Sequence, residues 1–193
     1  RLALLQVVRR RAVLKVDVLR REAERLQSLF DEFLTLTGPY ALHRRDVDLN
    51  LVVARLVEFC EPLLSTHDIR VTIDAASNPL QYPVDEKLLR QALLNIVINA
   101  QQAMPDGGEL RISSGMDGDG AYLSVADTGV GIPHQYHDRV FRPFFSTKSG
   151  GTGLGLSITQ RIIHEHDGTL TFHSEVGKGT TFTIRLPRHG ESV

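Results

Sequence analysis

Cysteine is almost missing from this chain: among its 193 residues only Cys60 occurs. That excludes an internal disulfide framework and a cysteine-rich zinc site, and it is compatible with a reducing compartment. Charge of one sign is lacking too. Lysine and arginine number 22 against 23 aspartates and glutamates, a formal net charge of -1, so no global field draws the chain to nucleic acid or to an anionic membrane. No apolar run nears the roughly twenty residues of a membrane-spanning helix, and there is no signal peptide, internal repeat or low-complexity segment. What is present is ordinary for a globular protein, with 41% hydrophobic and 23% charged residues, in a chain long enough to bury a core. It begins at Arg1 rather than methionine, inside a helical pattern, which gives it the look of a fragment.

From Leu2 to Leu36 the pattern repeats every seven residues. Leu2, Val16, Ala23 and Phe30 share one seam position, and Leu5, Ala12, Leu19, Leu26 and Phe33 share the other; Arg9 is the exception. Such a seam predicts a helix packed in a coiled coil or bundle, or, more plainly, one amphipathic helix lying on its own domain. Gly38-Pro39 stops it. Beyond a short polar stretch, Asp48 and Asp85 cap helices over Leu49–Ser65 and up to Ala103, and a third helix spans Leu156–His166. Strands are expected at Ile69–Asp74, Leu80–Val84, Leu110–Ser114, Tyr122–Ala126, Thr169–Ser174 and Thr180–Leu186. Helices between antiparallel-looking strand pairs predict an α+β layered sandwich over residues 47–190, with residues 1–40 as a separate element.

Three features carry chemistry. Asn95 and Asn99 are four apart and project from one face of the second helix. Two asparagines on a mostly apolar helix either satisfy buried backbone groups or offer an amide oxygen to a hard cation such as magnesium; the pair alone does not decide. Asp127-Thr128-Gly129-Val130-Gly131-Ile132 follows a strand. Its glycines let backbone approach a flat ligand and its carboxylate suits an exocyclic amine, although an Asx turn explains it as well. Gly150 to Leu156 runs into a helix, so its backbone amides and the helix dipole make an anion site suited to phosphates. It fits neither the P-loop nor the dinucleotide pattern.

Order and spacing say more than any one motif. An Asn–Asn helix, an Asp-x-Gly-x-Gly-Ile turn, Phe141-Arg142-Pro143-Phe144-Phe145, Gly151 to Leu156 and Gly177-Lys178-Gly179-Thr180-Thr181-Phe182 together resemble the catalytic domain of two-component sensor histidine kinases. The resemblance covers about Val47 to Arg188. It implies a two-layer α/β sandwich of the GHKL ATPase type, a mixed sheet covered by helices on one face, that binds ATP with Mg2+. By resemblance Asn99 holds the magnesium and Asn95 lies beside the phosphates. Asp127 reads the adenine amino group over a floor of Gly129 and Gly131, Ile132 belongs to the same nucleotide-binding turn, and Thr180 supports Asp127 through a hydroxyl or a bridging water. Thr152, Gly153, Leu154, Gly155 and Leu156 form the phosphate loop, residues 146–151 a short lid, and Lys148, the lid's cation, meets the terminal phosphate. Gln102 stands where many relatives are basic; it can donate a hydrogen bond but cannot neutralise charge.

Hydrolytic members of the same fold carry a glutamate one helical turn before the magnesium asparagine. Here that position is Asn95, and an amide takes no proton from water, whereas a kinase needs only positioning and charge neutralisation. The expected reaction is therefore phosphoryl transfer to a histidine and then to an aspartate of a response regulator receiver domain. None of the eight histidines fits the acceptor pattern of a histidine followed by an acidic residue and a proline. The heptad segment resembles the second helix of the dimerisation hairpin, so the parent pairs with a second kinase protomer and the acceptor helix is missing. The location expected is cytoplasmic, whether or not the parent is anchored in a membrane. A partner-switching serine kinase or anti-sigma factor of the same fold is the alternative, and the heptads argue against it.

Overall fold

Two aspartates start the first two helices that follow residue 40, as their sequence positions predict. Asp48 caps α1 (Leu49–Thr66) by accepting the Asn50 N–H at 3.0 Å, and its same oxygen takes the Leu80 N–H at 3.0 Å. Asp85 caps α2 (Glu86–Ala103) through the Lys87 and Leu88 N–H groups at 3.1 and 3.2 Å. The computed structural model describes residues 42–118, 120–148 and 151–187, together with Val16, Arg20, Gln27, Phe30 and Leu34. The chain divides into two units, Arg1–Gly38 and Pro39–Val193. In the first, the five described residues are helical, and the seam residues Val16 and Phe30 are exposed. The rest of the heptad seam, the Gly38-Pro39 stop and the assignment to a hairpin helix lie outside the described residues.

The second unit is built on a five-stranded sheet, formed by β2 (Ile69–Asp74), β4 (Gly108–Asp117), β5 (Gly120–Asp127), β6 (Thr169–Glu175) and β7 (Gly179–Pro187) in the order β2-β4-β5-β7-β6. A separate ribbon pairs β1 (Arg45–Asp48) with β3 (Gln81–Val84). Alternate residues of the central strands are buried, among them Leu110 and Ile112, Leu123 and Val125, Phe182 and Ile184. Registers of Ile112 with Val125 and Val125 with Phe182 align them on one face. That period of two is what a sheet covered on one side requires. Helix α2 meets it with Leu89, Ala92, Leu93, Ile96, Val97 and Ala100, all buried, and each fully buried leucine or isoleucine contributes about 1.5–3 kcal/mol. Helix α3 (Gly155–Glu165) adds Ile158, Ile162 and Ile163.

The fold is the expected α+β layered one, with three local differences. The successive strands β2 and β3, which look like an antiparallel pair in the sequence, do not pair: β3 joins β1, and β2 runs parallel to β4 because their connection passes through the crossover helix α2, which returns the chain in its original direction; that parallel pair makes the sheet mixed, as expected. Strand β1 occupies the stretch read as polar loop; four half-exposed residues show no usable alternation. A 3₁₀ turn, His134–Arg139, is too short to carry a period.

A buried histidine ties these layers together. His166 is 2% exposed; its Nε2 accepts the Asp85 N–H at 3.0 Å and its Nδ1–H donates to the Ile162 carbonyl at 2.8 Å. One nitrogen must stay an acceptor, so the ring must be neutral. Burial lowers its pKa and Arg44 adds to the effect, against the Ile162 carbonyl, Asp85 and Asp167. A depressed pKa means that stability is fully present above the unfolded value of about 6.5 and is lost as pH falls below it. Thermal melts between about pH 7.5 and 5 should therefore show a declining midpoint in the native chain. His166→Leu should be less stable by about 1–3 kcal/mol at the upper pH and flat across the window; a variant with the native slope would exclude His166 as the cause.

Candidate nucleotide site

At the end of β5 the chain leaves the sheet with its last residue, Asp127, 8% exposed. Oxygen Oδ1 accepts two backbone N–H groups, from Gly129 at 2.9 Å and Thr180 at 3.2 Å. Oδ2 has no hydrogen-bond partner among the described residues. Burial pushes the Asp127 carboxyl up, against those two N–H bonds and the Lys148 charge. A half-satisfied, buried carboxylate is costly unless something donates to its second oxygen.

Asp127 lines a cavity of about 270 Å³. Asn99 and Gln102 of α2, Gly131, Ile132, Lys148, Leu156 of α3 and Thr180 of β7 line it as well. So eight of the residues expected from the sequence border one cavity. At its α2 side, the Lys148 ammonium donates to Asn99 Oδ1 at 3.1 Å and to Gln102 Oε1 at 2.7 Å. Lys148 remains exposed; partial desolvation of its ammonium lowers its pKa, and Asp127 resists that. Two amide oxygens one helical turn apart thus already hold a positive charge, and hard oxygen donors of this kind suit magnesium.

The other expected residues border the site without lining the cavity. Gly129 packs on α2, where an added Cβ would stand 2.5 Å from the Ala103 carbonyl oxygen. Thr152 Oγ1 accepts the Leu154 N–H at 3.2 Å, shaping the loop before α3. Gly153 has φ +69, and a Cβ there would lie 2.5 Å from the backbone of Phe144; Leu154 is buried. Asn95 donates through Nδ2 to the Gly155 carbonyl at 3.1 Å and to Thr159 Oγ1 at 3.4 Å, so it straps α2 to the first turn of α3. Thr180 supports Asp127 with its backbone N–H and not with its hydroxyl, which pairs with Ser174 Oγ at 2.9 Å. The direct contact is thus made by the peptide nitrogen, since the register sets Thr180 opposite Asp127.

Sequence reasoning missed part of the wall. Tyr136 and Phe145 line the cavity and meet as tilted rings 5.6 Å apart, while the Arg139 guanidinium sits 4.5 Å over the Phe145 ring. Phe144 beside them has φ 64 and is 67% exposed, a left-handed conformation uncommon for a bulky residue. The Phe/Pro box was visible in the sequence; its separation into one wall residue and one outward residue depends on that single backbone angle.

One cavity thus brings together a carboxylate with one free oxygen and amide oxygens that hold a cation, beside a glycine-rich turn into α3, an arrangement that suits a base-bearing, multiply charged anion. Residues 84–190 match the family described as histidine kinase-, DNA gyrase B- and HSP90-like ATPase, and the chain belongs to that family. Within it the similarity is to sensor kinases: the chain carries a catalytic ATP-binding domain of the histidine-kinase type. It is 35% identical to the sensor histidine kinase ZraS of Escherichia coli (strain K12) over 171 residues, which is 89% of this chain and 37% of that protein. Full-length ShkA in complex with AMPPNP superposes with a TM-score of 0.81 at 29% identity, covering 89% of this chain and 38% of that one. Histidine kinase ThkA in complex with the response regulator protein TrrA gives 0.75 at 26% identity, over 88% of this chain and 49% of the other. This chain thus spans well under half the length of ZraS, the curated relative compared. Among the described residues, no helix is long and apolar enough to cross a membrane.

Proposed function

We propose that this domain binds Mg-ATP and is the catalytic end of a sensor histidine kinase, passing the γ-phosphoryl group to a histidine of a dimerisation hairpin and from there to a response-regulator aspartate. The observation that carries the nucleotide reading is the free Oδ2 of buried Asp127, in a cavity that Asn99 and Gln102 also line. An adenine amino group donates to a carboxylate oxygen; the guanine carbonyl at the equivalent position repels it. Asn99 would hold the magnesium, with Gln102 beside it, and Lys148 would turn from these amides to the terminal phosphate. When bound, the metal would neutralise developing charge on the β- and γ-phosphates. Gly131 and Ile132 form the floor under the base, and Thr152 to Leu156 present backbone N–H groups at the start of α3. Asn95 holds that start in place.

The acceptor supplies the nucleophile. An imidazole nitrogen forms the new bond to phosphorus as the bond to the bridging oxygen of ADP breaks. ShkA was crystallised with a nucleotide analogue and ThkA with a response regulator, which supports both the ligand and the downstream partner. The reading of residues 1–40 as the second hairpin helix fits a parent that dimerises.

Two measurements test the site. In calorimetry Asn99→Ala should lose magnesium-dependent ATP binding with its fold intact, and unchanged Mg-ATP affinity would refute that metal ligand. Asp127→Ala should lose about 1–3 kcal/mol for ATP and little for GTP; a preserved preference for ATP would refute the base contact. The transfer itself is tested by mixing the chain with a separately made acceptor hairpin and γ-labelled ATP. Acid-labile label on the hairpin histidine is expected, and label confined to a partner's serine would overturn the assignment.

A further inference from the structure

Ser174, on β6 and outside every nucleotide motif, is hydrogen-bonded to the frame of the cleft on three sides. Its Oγ accepts the Ile132 N–H at 2.7 Å, donates to the Gly179 carbonyl at 3.1 Å and lies 2.9 Å from the Thr180 hydroxyl. A hydroxyl has one proton and two lone pairs. With its proton on Gly179, both remaining places are filled by Ile132 and Thr180, so its hydrogen-bonding capacity is used in full.

Each partner bears on the base end of the cavity. Ile132 lines it. Thr180 lines it too and fixes Asp127 Oδ1 by its N–H at 3.2 Å. Gly179 has φ +113, and a Cβ there would collide with the Asp127 carbonyl, so this turn of chain lies directly against the end of β5. On its other side, the Ile132 carbonyl takes the Nε2–H of His137 at 2.9 Å, and the His137 ring meets Phe172 edge-on at 5.0 Å. Both backbone polar groups of Ile132 are therefore held by side chains from outside its own loop. The residue before it, Gly131, has φ +72 and supplies no stiffness of its own.

We infer that Ser174 is a positioning residue for base selectivity: its hydroxyl sets the spacing between the Ile132 wall and the Asp127 carboxylate, and so decides how well a purine's exocyclic donor meets Oδ2. Ser174 touches no ligand and acts only through Ile132 and Thr180. The inference rests on the base contact proposed for Asp127.

The test compares the full chain with Ser174→Ala and Ser174→Thr, measuring calorimetric affinities for Mg-ATP, Mg-GTP and magnesium tripolyphosphate, which has no base. Ser174→Ala should lose about tenfold of the ATP-over-GTP preference, the effect of one unmade hydrogen bond to a part-buried amide. Ser174→Thr keeps the hydroxyl and should keep the preference, and tripolyphosphate binding should not move in either variant. An unchanged preference in Ser174→Ala overturns the inference, as does an equal loss for all three ligands, which marks general loosening. Asp127→Ala in the same series separates the two claims. If it keeps the preference, the base contact falls and the inference with it; if it loses the preference while Ser174→Ala does not, only the role of Ser174 falls.

Discussion

Two backbone N–H groups converge on one carboxylate oxygen of Asp127, and the geometry of the site follows from that convergence. The Gly129 N–H can reach it only if the chain turns sharply after β5. That turn then lies on the last turn of α2, where Val130 N–H donates to the Ala103 carbonyl at 3.0 Å and Gly129 has no room for a Cβ. Gly177 N–H adds a bond to the Val130 carbonyl at 2.9 Å, bringing in the β6–β7 turn. Thr180 is held because its register places it opposite Asp127 in the sheet. One acid therefore fixes the separation between α2, which carries Asn99 and Gln102, and the loop that floors the cavity. Because the acid is buried, neither bond is readily exchanged for water, and that gives the arrangement its rigidity.

The electrostatics of the cavity come from desolvation that is unequal at its two charges: Asp127 is buried, whereas Lys148 is an exposed residue. Desolvation pushes the Asp127 carboxyl up and the Lys148 ammonium down, and each charge partly restores the other. Lys148 sits on neutral amide oxygens rather than on the acid itself. The amides hold the cation without neutralising it, so the positive charge stays available at the end of the cleft proposed for phosphates. A glutamate at position 102 would have paired with Lys148 and cancelled that field; a basic residue would have repelled it. Glutamine is the choice that lets Lys148 carry the local charge.

Much of this was legible in the sequence where a residue type has one dominant physical use. Asp48 and Asp85 are read as caps because their side chains compete for helix N–H groups, and both do so. The strands with clean alternation, β4, β5 and β7, were found a residue or more short at their ends, since pairing continues past the apolar core into Gly108 and Asp117. The convergence of Asn99, Asp127 and Lys148 on one cavity followed from motif order and not from any local signal. What stayed hidden depends on tertiary contact. Ser174 looks like any polar residue alternating on an edge strand, and His166 like the exposed end of a helix. Nothing local tells that one clamps the cavity floor and the other is buried against Asp85. The partner of β2 was hidden for a related reason: which strand it meets is decided by the path of α2, not by the strands' own composition.

Asn95 shows how one side chain joins structure to the choice of chemistry. In a hydrolytic site of this fold the residue at that position must hold a proton-accepting carboxylate against water. Here its Nδ2 donates to the Gly155 carbonyl and Thr159 Oγ1, and Thr159 Oγ1 also bonds the Gly155 carbonyl at 2.9 Å. The pocket around position 95 is therefore rich in lone pairs. A glutamate there would have no proton to donate, would turn its charge toward that carbonyl, and would lose the strap between α2 and α3. The loop that opens α3 would lose its anchor along with it. In this chain the amide is used to hold the start of α3. An amide there also takes no proton from water, in keeping with the proposed transfer to an imidazole.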